Sequence, residues 1–140
     1  MSEVIVLDTH IWLWLINANF EQFPSHWRDQ IESATRVGIS PLSCCEIALA
    51  HKKGRIRLPS TAQEWFRSAM APARIELFPL TEAIAARAVD LSPVHRDPFD
   101  RLIIATALEY DAKLASVDSL FSQYSELDAC LMKQANAMPR

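Results

Sequence analysis

Four acidic residues at the edges of apolar runs are the groups in this chain best suited to chemistry. Asp8 ends "VIVLD", Glu46 sits in "SCCEIALA", Asp100 in "HRDPFDRLIIATAL" and Asp118 in "LASVD". Carboxylates gathered without matching lysines or arginines repel one another, and a divalent cation is the simplest physical remedy. Hard oxygen donors suit Mg²⁺ or Mn²⁺. One or two such ions would reverse the local field, accept phosphate oxygens and make water a better nucleophile, which is the chemistry of phosphodiester hydrolysis.

Each acid also has a structural reading. Asp97 stands where a helix N-cap belongs, with Pro98 at the first helical position and Asp100 three residues after the cap, where a carboxylate answers free N–H groups and the helix dipole. Yet one and two turns beyond Asp100 lie Ile103, Ile104 and Ala107, an apolar face meant for burial, and a carboxylate at the rim of such a face needs a partner. Glu46 follows Ser43 by three residues, the spacing of a capping box. Asp118 fits a turn as well as a site. His10 follows Asp8 by two residues, but no second histidine has zinc-ligand spacing, so a packed or hydrogen-bonding side chain is expected. Arg101 reads as a salt-bridge partner or a phosphate contact, and His95 as a loop residue or a phosphate contact. "HKKGRIR" reads as a local basic patch or as a helix C-terminus complementing its dipole. Trp12, Trp14, Trp27 and Trp65 are not set in a basic interleaved surface and are expected in the core or a dimer interface rather than as base-stacking platforms.

The elements that must position these acids alternate between strand and helix. Strands are expected at "VIVLD", "RVGISP", "RIELFPL" and "AKLASVD", with "ACLMK" a last edge strand and "QANAMPR" loose. Helices are expected at "THIWLWLIN", from about Ser43 to Lys53 before Gly54, from about Ser60 with Gln63 in a capping-box position, at "TEAIAARAVDL" and from Pro98 onward; a polar amphipathic stretch covers roughly residues 24–35. Parallel neighbours need crossover connections, so this alternation implies a three-layer α/β/α sandwich around a mainly parallel sheet, one domain over residues 1–140. Ligands of open parallel sheets bind beyond the carboxyl ends of the strands. Asp8 and Asp118 close strands there, and Glu46 opens a helix at the same pole. The helix carrying Asp100 reaches that pole only if the chain has first looped back.

Composition narrows the classes. The chain has 140 residues, half of them hydrophobic, and a formal charge of −3 from fourteen basic and seventeen acidic residues. No overall electrostatic footprint for nucleic acid exists, so a polyanionic substrate needs local help. Two glycines leave no GxGxxG or phosphate-binding loop. Three cysteines, Cys44, Cys45 and Cys130, fit neither a disulfide framework nor a zinc site, and a reducing cytoplasm is the expected compartment. Glu3, Asp8 and His10 interrupt the first apolar run, unlike a signal peptide or a spanning helix, so a soluble, unprocessed protein is expected.

"VIVLDTHIWLWL", "SPLSCCEIALAHKKGRIRLP", "HRDPFDRLIIATAL" and "LASVDSLF", in that order and spacing, resemble the PIN domain of VapC-type toxins of bacterial toxin–antitoxin modules. The resemblance covers nearly the whole chain. It implies a Mg²⁺- or Mn²⁺-dependent endoribonuclease acting on RNA, in which Asp8, Glu46 and Asp100 match the core metal-binding acids and Asp118 the more variable fourth. It further implies a homodimer and a cognate antitoxin that inserts a basic or bulky side chain among the acids. Cys45 stands where the family often has Trp, and Ser116 supplies the hydroxyl before the fourth acid. A haloacid-dehalogenase-like phosphatase would want a second aspartate where His10 stands, and a receiver domain adjacent acids after its first strand. A PIN-fold module that only binds would predict erosion of the acids, and all four are present.

Overall fold

The computed structural model describes residues 3–134. The β-branched run Val4–Leu7 forms β1, flanked by β2 (Arg36–Ile39) on one side and β4 (Lys113–Ala115) on the other; β3 (Ile75–Leu77) pairs with β2 at the edge. The order is β3-β2-β1-β4, every pairing is parallel, and Val6 sits opposite both Gly38 and Leu114. Side chains alternate across the pleat, so Ile5 and Leu7 face one apolar layer and Val6 the other. Burial on both faces is what selects β-branched and aliphatic residues at successive positions.

Helices α1 (Thr9–Ile16), α2 (His26–Ser33), α3 (Pro41–Lys52) and α4 (Ala62–Ser68) contribute to the layer that includes Ile5 and Leu7. Its largest members are Trp12 and Trp27, both fully buried, and Trp65. Their indoles keep a polar partner: Trp12 Nε1 donates to the Ala69 carbonyl at 3.0 Å and Trp27 Nε1 to the Lys133 carbonyl at 2.8 Å. Helix α6 (Pro98–Glu109) covers the opposite face, where Ile103, Ile104 and Ala107 meet Val6 and Leu114, and α5 (Glu82–Asp90) packs against α6 with Ile84 and Ala88 on Ala105. The expected three-layer sandwich is therefore the fold.

Local chemistry moved several boundaries. α3 begins at Pro41, because the Ser40 hydroxyl at the end of β2 caps it by accepting from the Leu42 amide at 3.1 Å. Ser43 is thus not a cap, and Glu46 falls in the second turn. The capping box expected at Ser60 and Gln63 lies one residue later, at Thr61 and Glu64, where a carboxylate answers the dipole better than an amide. Gly54, with φ +73°, closes α3: its amide donates to the His51 carbonyl and that of Arg55 to Ala50, a Schellman ending. β3 is shorter than "RIELFPL" because Arg74 is left-handed and Pro79 lacks a donor. "ACLMK" contributes a single parallel bridge, Leu131 to Leu114, rather than a strand. The "QANAMPR" expectation lies, beyond Gln134, outside the described residues.

Candidate metal centre

Parallel strands bring their carboxyl ends to one edge of the sheet, and the acids collect there. Asp8 follows β1 directly and is the N-cap of α1. Its two oxygens are divided: Oδ1 accepts from the Thr9 amide and Oδ2 from the Ser116 hydroxyl, each at 2.8 Å. Thr9, the first helical residue, turns its hydroxyl to Glu46 Oε1 at 2.5 Å and lies 2.9 Å from Ser43 Oγ. A hydroxyl has one proton, so Thr9 gives it to the carboxylate and accepts from Ser43. Ser43 and Thr9 are both buried.

Asp100 reaches the same edge because α6 must run down the sheet to deliver β4 at its amino end. Helix α5 and residues 91–97 return the chain to the carboxyl pole first. Arg101 secures this return. Its guanidinium donates to five backbone carbonyls, those of Ala88, Val89, Leu91, Ser92 and His95, at 2.9 to 3.4 Å. It forms no ion pair among the described residues, so the salt-bridge reading of Arg101 does not hold. A fork of planar donors fits several carbonyls where a point charge would not.

The two aspartates of "DPFD" divide the roles that the sequence left open. Asp97 caps α6, accepting from the Phe99 amide at 3.0 Å. Asp100 accepts no backbone donor; its one hydrogen bond among the described residues is from His95 Nε2 at 3.2 Å. Asp118 does two things, accepting the Leu120 amide at 2.9 Å in a turn while facing the other acids. It stands three residues beyond β4 rather than closing it.

Asp8, Glu46, Asp100 and Asp118 share a cleft of about 280 Å³ with His10, Ile11, Trp14 and Val117. No lysine or arginine lines it. Burial is the main reason that Asp100 is pushed up to about 7, with Asp97, Asp8 and Glu46 adding repulsion and His95 opposing. Asp8 is raised by burial against its bonds to Ser116 and Thr9, and Glu46 by burial against its bond to Thr9. His10 is exposed, its ring tilted against Trp14 at 5.5 Å, and only its positive potential bears on Asp8 and Glu46. Its ring contact with Trp14 is at the surface rather than in the core, and among the described residues no group of three His, Cys, Asp or Glu side chains could hold zinc.

Among the described residues, no three His, Cys, Asp or Glu side chains stand close enough to form a ready-made metal cage. The arrangement fits a hydrated ion instead. Mg²⁺ keeps several waters and takes one or two carboxylates, and a cleft of mutually repelling acids without lysine or arginine in its lining meets that need. Volume alone points elsewhere: a larger hollow of about 580 Å³ lies among Leu15, Phe20, Arg28 and Ile75. It contains a single acid, Glu32, beside Arg28 and Arg74, and has no such chemistry.

Sequence reasoning missed two partners. Thr9 carries only the weak signal of a hydroxyl directly after a strand-ending acid. Tyr124, which bonds His95, lies 29 residues from it and has no local signature at all.

The PIN domain family profile matches residues 5–127. Over 115 residues the chain is 30% identical to "Ribonuclease VapC22" of Mycobacterium tuberculosis, covering 81% of this chain and 86% of that protein. In fold it is similar to the VapBC2 complex of Rickettsia felis bound to a promoter DNA fragment, with TM-score 0.64, 17% identity and coverage of 89% and 95%. A DNA-bound VapBC complex of Salmonella typhimurium gives TM-score 0.63, 16% identity and coverage of 91% and 96%. On these matches, the chain belongs to the PIN domain family, among its VapC-like members.

Proposed function

We propose that this protein is an endoribonuclease dependent on Mg²⁺ or Mn²⁺, the toxin of a toxin–antitoxin pair. The observation that carries the reading is the meeting of four acids, from four separate stretches of chain, in one cleft without a cation. Asp8, Glu46 and Asp100 would hold the metal, with Asp118 at the margin. A bound ion supplies charge neutralisation for acids and phosphodiester and makes water a better nucleophile. The protein's own contribution is positioning. Ser116 and Thr9 divide the oxygens of Asp8, Thr9 fixes one oxygen of Glu46, and His95 fixes one of Asp100, leaving the others available.

RNA needs a local positive path, and the structure offers one. A groove of about 430 Å³ shares Thr9, His10 and Glu46 with this region and continues past Leu13 and Phe99 to Lys53 and Arg55. Neither cation forms an ion pair among the described residues. An aromatic ring with two free cations suits a single strand, through base stacking and phosphate contact. "HKKGRIR" thus both ends a helix and carries cations into this groove.

The VapBC neighbours are complexes, and the same acids suit a protein inhibitor: an antitoxin placing a cationic side chain among them would replace the metal's charge. A homodimer is part of this reading. Among the described residues no helix is long and apolar enough to cross a membrane, which is consistent with action in the cytoplasm.

Cleavage of single-stranded RNA should vanish in EDTA and return with Mg²⁺ or Mn²⁺ but poorly with Ca²⁺. Glu46→Gln and Asp8→Asn should lose cleavage by orders of magnitude while folding normally. Undiminished cleavage in chelator would sink the reading.

A further inference from the structure

Asp100 is the end of a directed chain of hydrogen bonds. Arg101 Nη1 lies 3.4 Å from the Tyr124 hydroxyl, that hydroxyl 2.6 Å from His95 Nδ1, and His95 Nε2 3.2 Å from Asp100 Oδ2. The tyrosine is fully buried, and the side chains of His95 and Asp100 are 15% and 16% exposed. The rings of His95 and Tyr124 meet edge to face at 5.5 Å.

Direction follows from donor inventory. A guanidinium only donates, so the Tyr124 proton cannot go to Arg101, whose Nη1 has the Ser92 and His95 carbonyls closer at 3.0 and 3.2 Å. Among the described residues the one acceptor in reach of the buried hydroxyl is His95 Nδ1. The neutral imidazole then carries its own proton on Nε2, the nitrogen facing Asp100, since the bond made by one ring nitrogen sets the state of the other. The same Arg101 also binds the His95 carbonyl at 3.2 Å, fixing the loop from which the ring projects.

We infer that Tyr124 and Arg101 are positioning residues for the metal site, locking His95 as the Nε2–H tautomer so that Asp100 is held by Oδ2 and keeps Oδ1 for a ligand. Among the described residues Oδ1 accepts no hydrogen bond. A ligating carboxylate left to rotate would meet the ion in several geometries, and outer partners that prevent this typically matter by 10–100-fold in affinity. The significance for metal rests on the proposed nuclease reading; the tautomer does not.

Two measurements separate them. In ¹⁵N-histidine-labelled, metal-free protein near neutral pH, two-bond ¹H–¹⁵N spectra should show His95 as Nε2–H with Nδ1 bare. An Nδ1–H form or an imidazolium in the wild type overturns the relay. Tyr124→Phe keeps the ring and removes the hydroxyl, and should give mixed tautomers; an unchanged spectrum overturns the role of Tyr124. Calorimetric titration with Mn²⁺ should then show about 10-fold weaker binding by Tyr124→Phe. Should that variant fold poorly, the half-buried pair His95→Gln and His95→Leu decides: Gln retains an N–H toward Asp100 and should hold the metal more tightly than Leu. Equal affinity in the pair overturns the inference. Wild-type protein that takes up no Mn²⁺ defeats the nuclease reading and the positioning role together, while the tautomer still judges the relay.

Discussion

Ser116 and Asp8 are joined across the sheet: the buried Ser116 hydroxyl, one residue after β4, donates to Asp8 Oδ2 at 2.8 Å and accepts the Asp118 amide at 3.1 Å. One oxygen atom thereby ties the acid after β1 to the fourth acid. Ser116→Ala should leave both Asp8 and a backbone amide short of a partner, costing about 1–3 kcal/mol. Asp8 would be raised further, since this bond opposes the effect of its burial. Denaturant midpoints of Ser116→Ala and Ser116→Thr check it: Thr retains the hydroxyl and should recover most of the loss.

Asp100 makes stability depend on pH in an unusual sense. Its folded value, about 7, lies above the ordinary 3.8, so between these values the folded state binds more protons than the unfolded state. Stability contributed by the protonated carboxyl is therefore fully present below about 4 and lost as pH rises through 7. Without metal, wild-type protein should lose melting temperature relative to Asp100→Asn between pH 5 and about 7.5. An asparagine variant less stable at pH 7.5 than at pH 5, by as much as wild type, would contradict the repulsion argument.

Gly38 is required by space. A Cβ built there would lie 2.5 Å from the Phe78 ring, which is buried and stacked on Tyr110 with centroids 4.3 Å apart. Gly38→Ala should destabilise by about 1–3 kcal/mol through overpacking. Because the displaced ring lies away from the acids, metal affinity of the folded fraction should be retained, as titration below the melting temperature would show.

Lys53 and Arg55 should govern RNA binding through charge alone. Replacing both by Gln in an Asp100→Asn background should weaken binding across sequences and flatten the salt dependence, each lost phosphate contact removing roughly 0.7 from the slope for single strands. Fluorescence anisotropy with labelled RNA over a salt series measures this. An unchanged slope would remove the groove from the RNA path.

The chain by itself determined the alternation of strand and helix, the parallel sheet and two of its helix ends, because these depend on neighbours a few residues apart. Asp97 capping α6, Gly54 ending α3 and the β-branched run of β1 were legible for that reason. That four acids from separate stretches would gather at one edge of the sheet was also legible, through motif spacing. Local rules failed where two hydroxyls three residues apart competed: Ser40 took the cap assigned to Ser43, freeing Ser43 for Thr9. Only the tertiary structure decided that Arg101 binds carbonyls and that Tyr124 stands behind His95, since hydrogen bonds that span 29 or 108 residues leave no periodic trace in sequence. It likewise decided which face of α6 Asp100 serves. That depends on where α5 and the following loop return the chain, and the return is fixed by packing and by one partly buried guanidinium fork rather than by any local propensity.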